Sequence, residues 1–442
     1  MEKIVSFCKR KGFIFQSSDI YGGLGGFYDY GPLGSQMKKN IKDSWWNFMI
    51  NTRANVVGLD SAIVTNPKVW EASGHLENFS DPLTECRECH KRFRADHLME
   101  EYSLELSQIK CPECKGELMD VRKFNLMLKT FIGPVEDSSS VAYLRPETAQ
   151  AIFINFKNVL DTQRLKIPFG IGQIGKAFRN EITPGNFVFR MREFEQMEME
   201  FFLKPGEEEK WFRYWIEERM RWYTDVLGIK KENLRINEAK KEDLAHYAIA
   251  CADIEYNFPS IGWSEIEGIA SRGDYDLTQH EKYSGEELKY FDEAKGEKYI
   301  PYVIEPSCGV DRTVLALICE GYKEFEKGRS GDSNAVEIVL KLKTNISPIK
   351  VAVLPLVKNK EDIISKAKEV FDLISPCFVS EYDETGSIGK RYRRQDEIGT
   401  PFCVTIDFDT LNDEAVTIRN RDTMEQERVL IKDLMDYLNK NV

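Results

Sequence analysis

The stretch FRNEITPGNFVFRMREFEQMEMEFF, Phe178 to Phe202, places three arginines and five glutamates among large apolar residues. A solvated hairpin has no use for Phe194, Met197, Met199 and Phe201. A core hairpin does not tolerate this density of charge, because an unpaired buried ion is costly. Side chains alternate along a strand. Arg190, Arg192, Phe194, Gln196, Glu198 and Glu200 are therefore expected on one face, and Met197, Met199 and Phe201 on the other, against a core. In the preceding strand Arg179 and Glu181 share a face, and TPGN, residues 183–186, supplies the turn. Arginine forks suit phosphate oxygens, an aromatic face suits a nucleobase, and carboxylates suit an ammonium group. The predicted ligand carries all three. The structural alternative is a surface ladder of ion pairs.

Just upstream, GIGQIG (Gly170–Gly175) has the spacing of a dinucleotide fingerprint. That reading needs a helix after the glycines, and KAFRNEI continues as a strand, so it is rejected. Before it, LRPETAQAIFINFKNVL turns into a helix with Ile152, Phe153, Phe156 and Val159 on one side. Downstream, EPSCGVDR reads as a strand end holding Glu305 and Ser307, a glycine, and a helix start carrying Arg312. Helix N-termini favour anions.

The chain has 442 residues, 42% hydrophobic and 30% charged, with a net charge of -12. That length allows two or three domains. The charge excludes nucleic-acid binding driven by overall attraction and leaves local patches or shape. No run of 18 apolar residues exists, so no membrane span is expected. The stretch MEKIVSFCKRKGFIF lacks the pattern of a secretory signal. A cytoplasmic location is expected.

Six of the ten cysteines are scattered in apolar surroundings and are expected to be buried thiols. The other four form CxxC, a 21-residue gap and CxxC: Cys86, Cys89, Cys111 and Cys114. This is a four-thiolate zinc pattern, with structural rather than catalytic spacing, inside an apparent insertion over residues 81–125. A second insertion is expected over about residues 205–260, around the tryptophan-bearing stretch EEEKWFRYWIEERMRWY. SQMKKNIKDSWWNFMI puts Met37, Ile41, Trp45 and Phe48 at helical spacing, and Asn66–Pro67 opens another helix. Residues 341–348 read as a linker. Beyond it, strands alternate with helices over 349–442 as in a small α/β domain. The first 340 residues read as an α+β domain on one large antiparallel sheet. Within the C-terminal domain, KRYRR (Lys390–Arg394) is expected to meet phosphates, with Tyr392 stacking on a base. A solvated basic loop is the alternative.

These residues carry a resemblance. FRNE with REFEQMEMEFF resembles motif 2 of class II aminoacyl-tRNA synthetases, EPSCGVDR resembles motif 3, and the helix near 35–50 with Pro67 resembles motif 1, the dimer motif. Together with YGPLG, SGHLENF, LRPETAQ and IPFGIGQIGKAFRNE, the chain is similar nearly throughout to the homodimeric glycyl-tRNA synthetase family. Its end resembles that group's anticodon-binding domain. The resemblance implies a class II antiparallel sheet with flanking helices, and the substrates glycine, ATP and tRNA(Gly), with Mg2+ and Zn2+. Arg179, Glu181 and Arg312 are the implied catalytic residues: Arg179 on the α-phosphate, Glu181 on the adenine amino edge, Arg312 covering the base stacked on Phe194. Asn180, Phe189, Arg190, Arg192, Glu265, Ile266 and Gly309 complete the implied ATP site, Glu265 through magnesium. Arg94, Glu147, Phe194, Gln196, Glu198, Arg272, Glu305, Ser307 and Gly309 are the implied glycine contacts. Three alternatives stand beside this: a non-catalytic synthetase-like accessory protein, another class II synthetase, and a zinc-containing nucleic-acid-binding protein.

Overall fold

The computed structural model describes residues 1–244, 248–329 and 336–442. Among the described residues, the centre is a seven-stranded sheet in the order β4-β5-β6-β7-β3-β2-β1. Its strands are β1 (Val56–Gly58), β2 (Phe169–Phe178), β3 (Glu193–Leu203), β4 (Leu234–Glu238), β5 (Ala250–Phe258), β6 (Gly262–Gly273) and β7 (Tyr302–Gly309). All pairs are antiparallel except β1 on β2.

The expected alternation holds from Phe194 onward, while Arg190 and Arg192 lie in the loop before β3. Met197, Met199 and Phe201 lie in the main core, with α1 (Pro32–Trp46), α3 (Glu208–Arg221) and α5 (Val310–Gly321). Gln196, Glu198 and Glu200 are also buried, on the opposite face. That face becomes apolar at Phe202, which packs with Phe153 and Phe156 of α2 (Ala149–Gln163); α4 (Tyr275–Ser284) adds Leu277 to the same cluster.

Several expectations differ from the structure, beginning with two in the main domain. The stretch 205–260 does not stand apart from the core: it supplies α3, β4 and β5, although residues 245–247 within it lie outside the described residues. Its charges mislead because Phe212, Trp215 and Ile216 share the helix face turned to the sheet. TPGN does not close a tight hairpin either. Phe178 pairs with Glu193, and residues 179–192 form a loop anchored by buried Phe187, Val188 and Met191.

The cysteine-bearing segment builds its own small antiparallel sheet from Ser80–Glu85, Arg92–Arg94 and Arg122–Asn125. The C-terminal sheet holds strands Val351–Pro355, Ser380–Tyr382, Phe402–Ile406, Ala415–Asn420 and Gln426–Leu430. The first three are mutually parallel and the rest antiparallel. Helix α6 (Glu361–Ile374) and helix α8 (Leu434–Asn441) bury a separate core against one face. Helix α7 (Ile388–Ile398) packs on the other. The stretch 341–348 is not a loose tether, since Leu342 and Ile346 belong to the main core and Asn40 of α1 donates to the Ser347 carbonyl at 2.9 Å. Among the described residues no helix is long and apolar enough to cross a membrane.

Candidate active site

A cleft of about 390 Å³ opens above the β3–β7–β6 face. The loop 179–192 walls one side with Arg179, Glu181, Phe189 and Arg190; Phe194 and Gln196 rise from β3. Ser307, Gly309 and Arg312 enter from the β7–α5 junction, Glu265 from β6, and Arg94 from the cysteine-bearing insertion. The guanidinium of Arg179 lies 5.3 Å from the Phe194 ring centre, and its Nε donates to the Pro146 carbonyl at 3.1 Å. Arg312 lies 4.5 Å over the Phe189 ring and 3.2 Å from a Glu265 carboxylate oxygen.

Glu265 reaches the cleft through an irregularity. Ile254 faces Glu267 and Glu255 faces Glu265, so Ile266 is an extra residue in β6. Such a bulge re-aims the neighbouring side chains. Glu267 turns down to a buried pair with Arg219 at 2.6 Å, while Glu265 and Asp253 both face the Gly268 position. Burial, then Glu265 and Glu255, raise the Asp253 carboxyl to about 6.

Three expected ATP contacts are placed elsewhere. The Ile266 side chain is in the core. Asn180 braces the loop, its N–H bonded to the Leu126 carbonyl. Arg192 spends its fork on the Glu181 carbonyl (3.0 and 2.8 Å) and the Gly25 carbonyl (2.8 Å); it holds the loop and does not line the cleft.

Behind Gln196 and Ser307 lies a knot of carboxylates. Glu198 Oε1 accepts from Ser307 Oγ (2.6 Å) and Gln196 Nε2 (2.8 Å), and its Oε2 from the Thr148 N–H (2.8 Å) and hydroxyl. Arg272 falls at a second register shift in β6, between Ser271 and Gly273. Its Nη1 sits 2.9 Å from both Glu305 oxygens, and its Nε and Nη2 grip Asp276 at 2.8 and 2.9 Å. Gln150 Nε2 bridges Asp276 (2.9 Å) and Glu147 (3.1 Å), and His280 fixes the Gln150 amide at 2.8 Å. On its far side Glu147 meets His75 Nε2 at 3.3 Å. Against the effect of burial, His75, Arg272 and Gln150 hold the Glu147 carboxyl well below the usual range. Glu305 is pushed up to about 8, by burial first and then by Glu198 and Glu147, against the pull of Arg272.

Of the residues gathered in this knot, Glu147, Glu198, Arg272 and Glu305 are among the expected glycine contacts, and His75, Thr148, Gln150, Asp276 and His280 are not. Part of the signal is present: Thr148 and Gln150 sit inside LRPETAQ and His75 inside SGHLENF. Asp276 and His280 carry none.

In the insertion, Cys86, Cys89, Cys111 and Cys114 bring their sulfurs within 4.8 Å of one another. Cys86 and Cys114 are 3.4 Å apart, Cys89 and Cys111 3.7 Å. A tetrahedron of about 2.3 Å zinc–sulfur bonds spaces its sulfurs by about 3.8 Å, so the donor set fits zinc. Both pairs sit on equivalent turns, with the N–H of His90 on the Cys86 carbonyl and that of Lys115 on the Cys111 carbonyl.

The tRNA synthetase class II core domain (G, H, P, S and T) matches residues 134–322, and the Anticodon binding domain matches residues 350–441. The chain is 53% identical to the glycine–tRNA ligase of Thermobifida fusca over 99% of this chain and 97% of that protein. It is 53% identical to that of Treponema denticola over 100% and 97%, and 54% identical to that of Caldanaerobacter subterraneus over 100% and 98%.

Proposed function

Since the chain belongs to the glycine–tRNA ligase family of class II aminoacyl-tRNA synthetases, we propose that its cleft and carboxylate knot hold ATP and glycine side by side, activate glycine as the adenylate and pass it to the 3′ end of tRNA(Gly). One observation carries this assignment: an arginine- and aromatic-lined cleft meets a buried acidic knot across Gln196 and Ser307.

In this reading Arg179 holds the α-phosphate, Arg190 faces the outer phosphates, Arg94 stays a substrate contact at the cleft wall, and Phe194 and Arg312 enclose adenine, whose amino edge meets Glu181. Glu147, Glu198, Glu305 and Ser307 surround the glycine ammonium. The glycine carboxylate attacks the α-phosphorus and pyrophosphate leaves. No protein nucleophile is required, because position and fixed charge carry most of the acceleration. Exclusion of alanine rests on rigidity: every oxygen of Glu198 and Glu305 is already engaged. An extra methyl group costs roughly 1–3 kcal/mol in a filled pocket, about 10- to 200-fold.

Class II enzymes use ATP with Mg2+. In this reading Glu265, about half exposed at 48%, would hold the ion, and magnesium when bound neutralises phosphate charge. The four cysteines would hold a structural zinc that keeps Arg94 at the cleft. A homodimer through α1, with exposed Ile20 (88%) and Tyr21 (86%) covered, completes the reading. It places the chain in the cytoplasm, with ATP and tRNA. The test is ATP–pyrophosphate exchange across the amino acids. Exchange dependent on glycine alone supports the assignment; exchange with another amino acid, or none, refutes it.

A further inference from the structure

Glu200 is a buried acidic side chain of the pocket face that the proposed reaction leaves without a task. It is fully buried, at 0% exposure, and among the described residues neither carboxyl oxygen has a hydrogen-bond partner. The register explains the contrast with Glu198. Glu198 faces Ser307 across the β3–β7 pair, and Phe201 faces Ile304. The same antiparallel register sets Glu200 opposite Glu305. Directly opposed side chains on such a pair have Cβ atoms about 4.5–5.5 Å apart, and like charges there repel. Glu305 has Arg272 donating to both of its oxygens; Glu200 has no such donor.

Five acids, Glu200 among them, gather around Arg272, while Arg145 acts on Glu198 from outside and His75 meets Glu147 on its far side. Glu198 shares the strand of Glu200, Glu305 comes from β7, Arg272 from β6, Asp276 and His280 from α4, and Glu147 from the N-terminal side of α2. Arg272 is already divided between Asp276 and Glu305. Two opposed buried carboxyls of this kind hold a proton between them and titrate as a unit.

We propose that Glu200 is a proton-carrying member of the glycine pocket, neutral in the free enzyme, which loses its proton to solvent when the amino acid's ammonium group enters. In the step the Glu200 O–H bond breaks, its electron pair stays on the carboxylate, the proton passes to the buffer, and the –NH3+ group supplies the replacing charge. Burial, and after it Glu305, push the Glu200 carboxyl well up, in keeping with a proton held at neutral pH. This inference rests on the assignment of the knot as the glycine site.

The linkage has a sign. Below the titration of the Glu200–Glu305 pair, each pH unit upward strengthens glycine binding by about tenfold for one released proton. Above it, affinity is flat. Calorimetric titration of the full-length protein with glycine, in phosphate and in Tris at matched pH, reads the released protons directly. The expected result is release approaching one proton per site, abolished in a folded Glu200→Gln variant whose glycine affinity no longer tracks pH. Glycine binding with no buffer dependence at any pH overturns the proposal, and so does a folded Glu200→Gln variant releasing as many protons as the parent. Absence of any glycine heat would instead sink the glycine-site assignment, and this inference with it. If Glu200→Gln does not fold, the parent protein still decides. Its infrared difference spectrum on adding glycine must lose a protonated-carboxyl band, and persistence of that band refutes the idea.

Discussion

The ammonium of Lys38, in the middle of α1, lies 2.7 Å from Asp311 Oδ1, one residue before the cleft arginine Arg312. Both side chains are buried. Asp311 also accepts from Tyr30 at 2.7 Å and from the Glu195 N–H at 2.8 Å. Lys38 and Lys42 reach Glu195 at 2.8 and 3.0 Å, and against burial they hold its carboxyl down to about 2. One knot of charge therefore ties the motif-1-like helix, β3 and the start of α5 together. Lys38→Ala leaves buried carboxylates short of a partner, and breaking a buried pair from one side costs about 3–5 kcal/mol. The expected outcome is a clear fall in Tm with a raised KM for ATP. Lys38→Met with Asp311→Leu should recover much of the Tm but not the KM. An unchanged Tm in Lys38→Ala would show that the knot does not hold the motifs together.

Among the described residues Arg179 makes one side-chain hydrogen bond, to the Pro146 carbonyl, leaving the far end of its fork toward the cleft. Arg179→Ala should lower glycine-dependent exchange by at least about a hundredfold. Arg179→Lys should rescue little, because a point charge does not replace a fork. Near-normal exchange in the alanine variant would remove Arg179 from the phosphate.

The four thiols predict one zinc per chain by metal analysis. Cys111→Ser should lose the metal and loosen the sheet that carries Arg94. Since Arg94 is held by Asp81 at 3.0 Å within that segment, KM for substrate should rise more than kcat falls. A metal-free preparation with four titratable thiols and full activity would falsify the structural role.

Regular periods made part of this molecule legible from its residues. The alternation from Phe194 to Phe201 identifies both faces of β3, and helical spacing identifies α1 and α2. The illegible part depends on departures from period. The extra residues at Ile266 and Arg272 re-aim Glu265 and Arg272, and no residue type announces a bulge. TPGN has the composition of a tight turn, yet buried Phe187 and Val188 pull the chain into a longer loop. Asp276 and His280 look like the polar face of a surface helix; only their packing against α2 makes them part of the knot.

Glu200 also predicts a pH dependence of stability. Its folded carboxyl is raised above the unfolded value of 4.5, so the folded state binds more protons. Stability from this group is fully present below about pH 4.5 and is lost as pH rises toward the folded pKa. Glu200→Gln should therefore raise Tm at neutral and higher pH and leave it unchanged in acid. A variant with the parent's Tm throughout the neutral range would show that the buried carboxyl carries no such penalty.

The basic run Lys390–Arg394 reads from its residue types as a tRNA contact, and its helix changes that expectation. Winding the run into α7 turns Arg391 inward, where only 1% is exposed and its guanidinium bonds the Pro355 and Gly386 carbonyls. Tyr392 is tied to Thr405 at 2.5 Å and covered by Arg419 at 4.8 Å. Arg394 pairs with Asp383, and Arg393 donates to the Val336 carbonyl. Lys390 is exposed, and the side chains of Arg393 and Arg394 stay partly exposed beside their partners. Neutralising Arg391 should thus destabilise the C-terminal domain rather than flatten the salt dependence of tRNA binding. The same helix latches the two domains through Asp396, which pairs with Arg329, and beyond the strand Ala415–Asn420 Arg421 adds a bond to the Leu342 carbonyl at 2.7 Å. A chain ending near Ser347 keeps Leu342 and Ile346 in the main core but loses those partners. It should still exchange pyrophosphate with glycine, with a lowered Tm, and charge tRNA poorly. Charging equal to that of the full chain would show that residues 348–442 add nothing to tRNA recognition, and a flattened salt dependence with unchanged stability in Arg391→Ala would return that arginine to the surface.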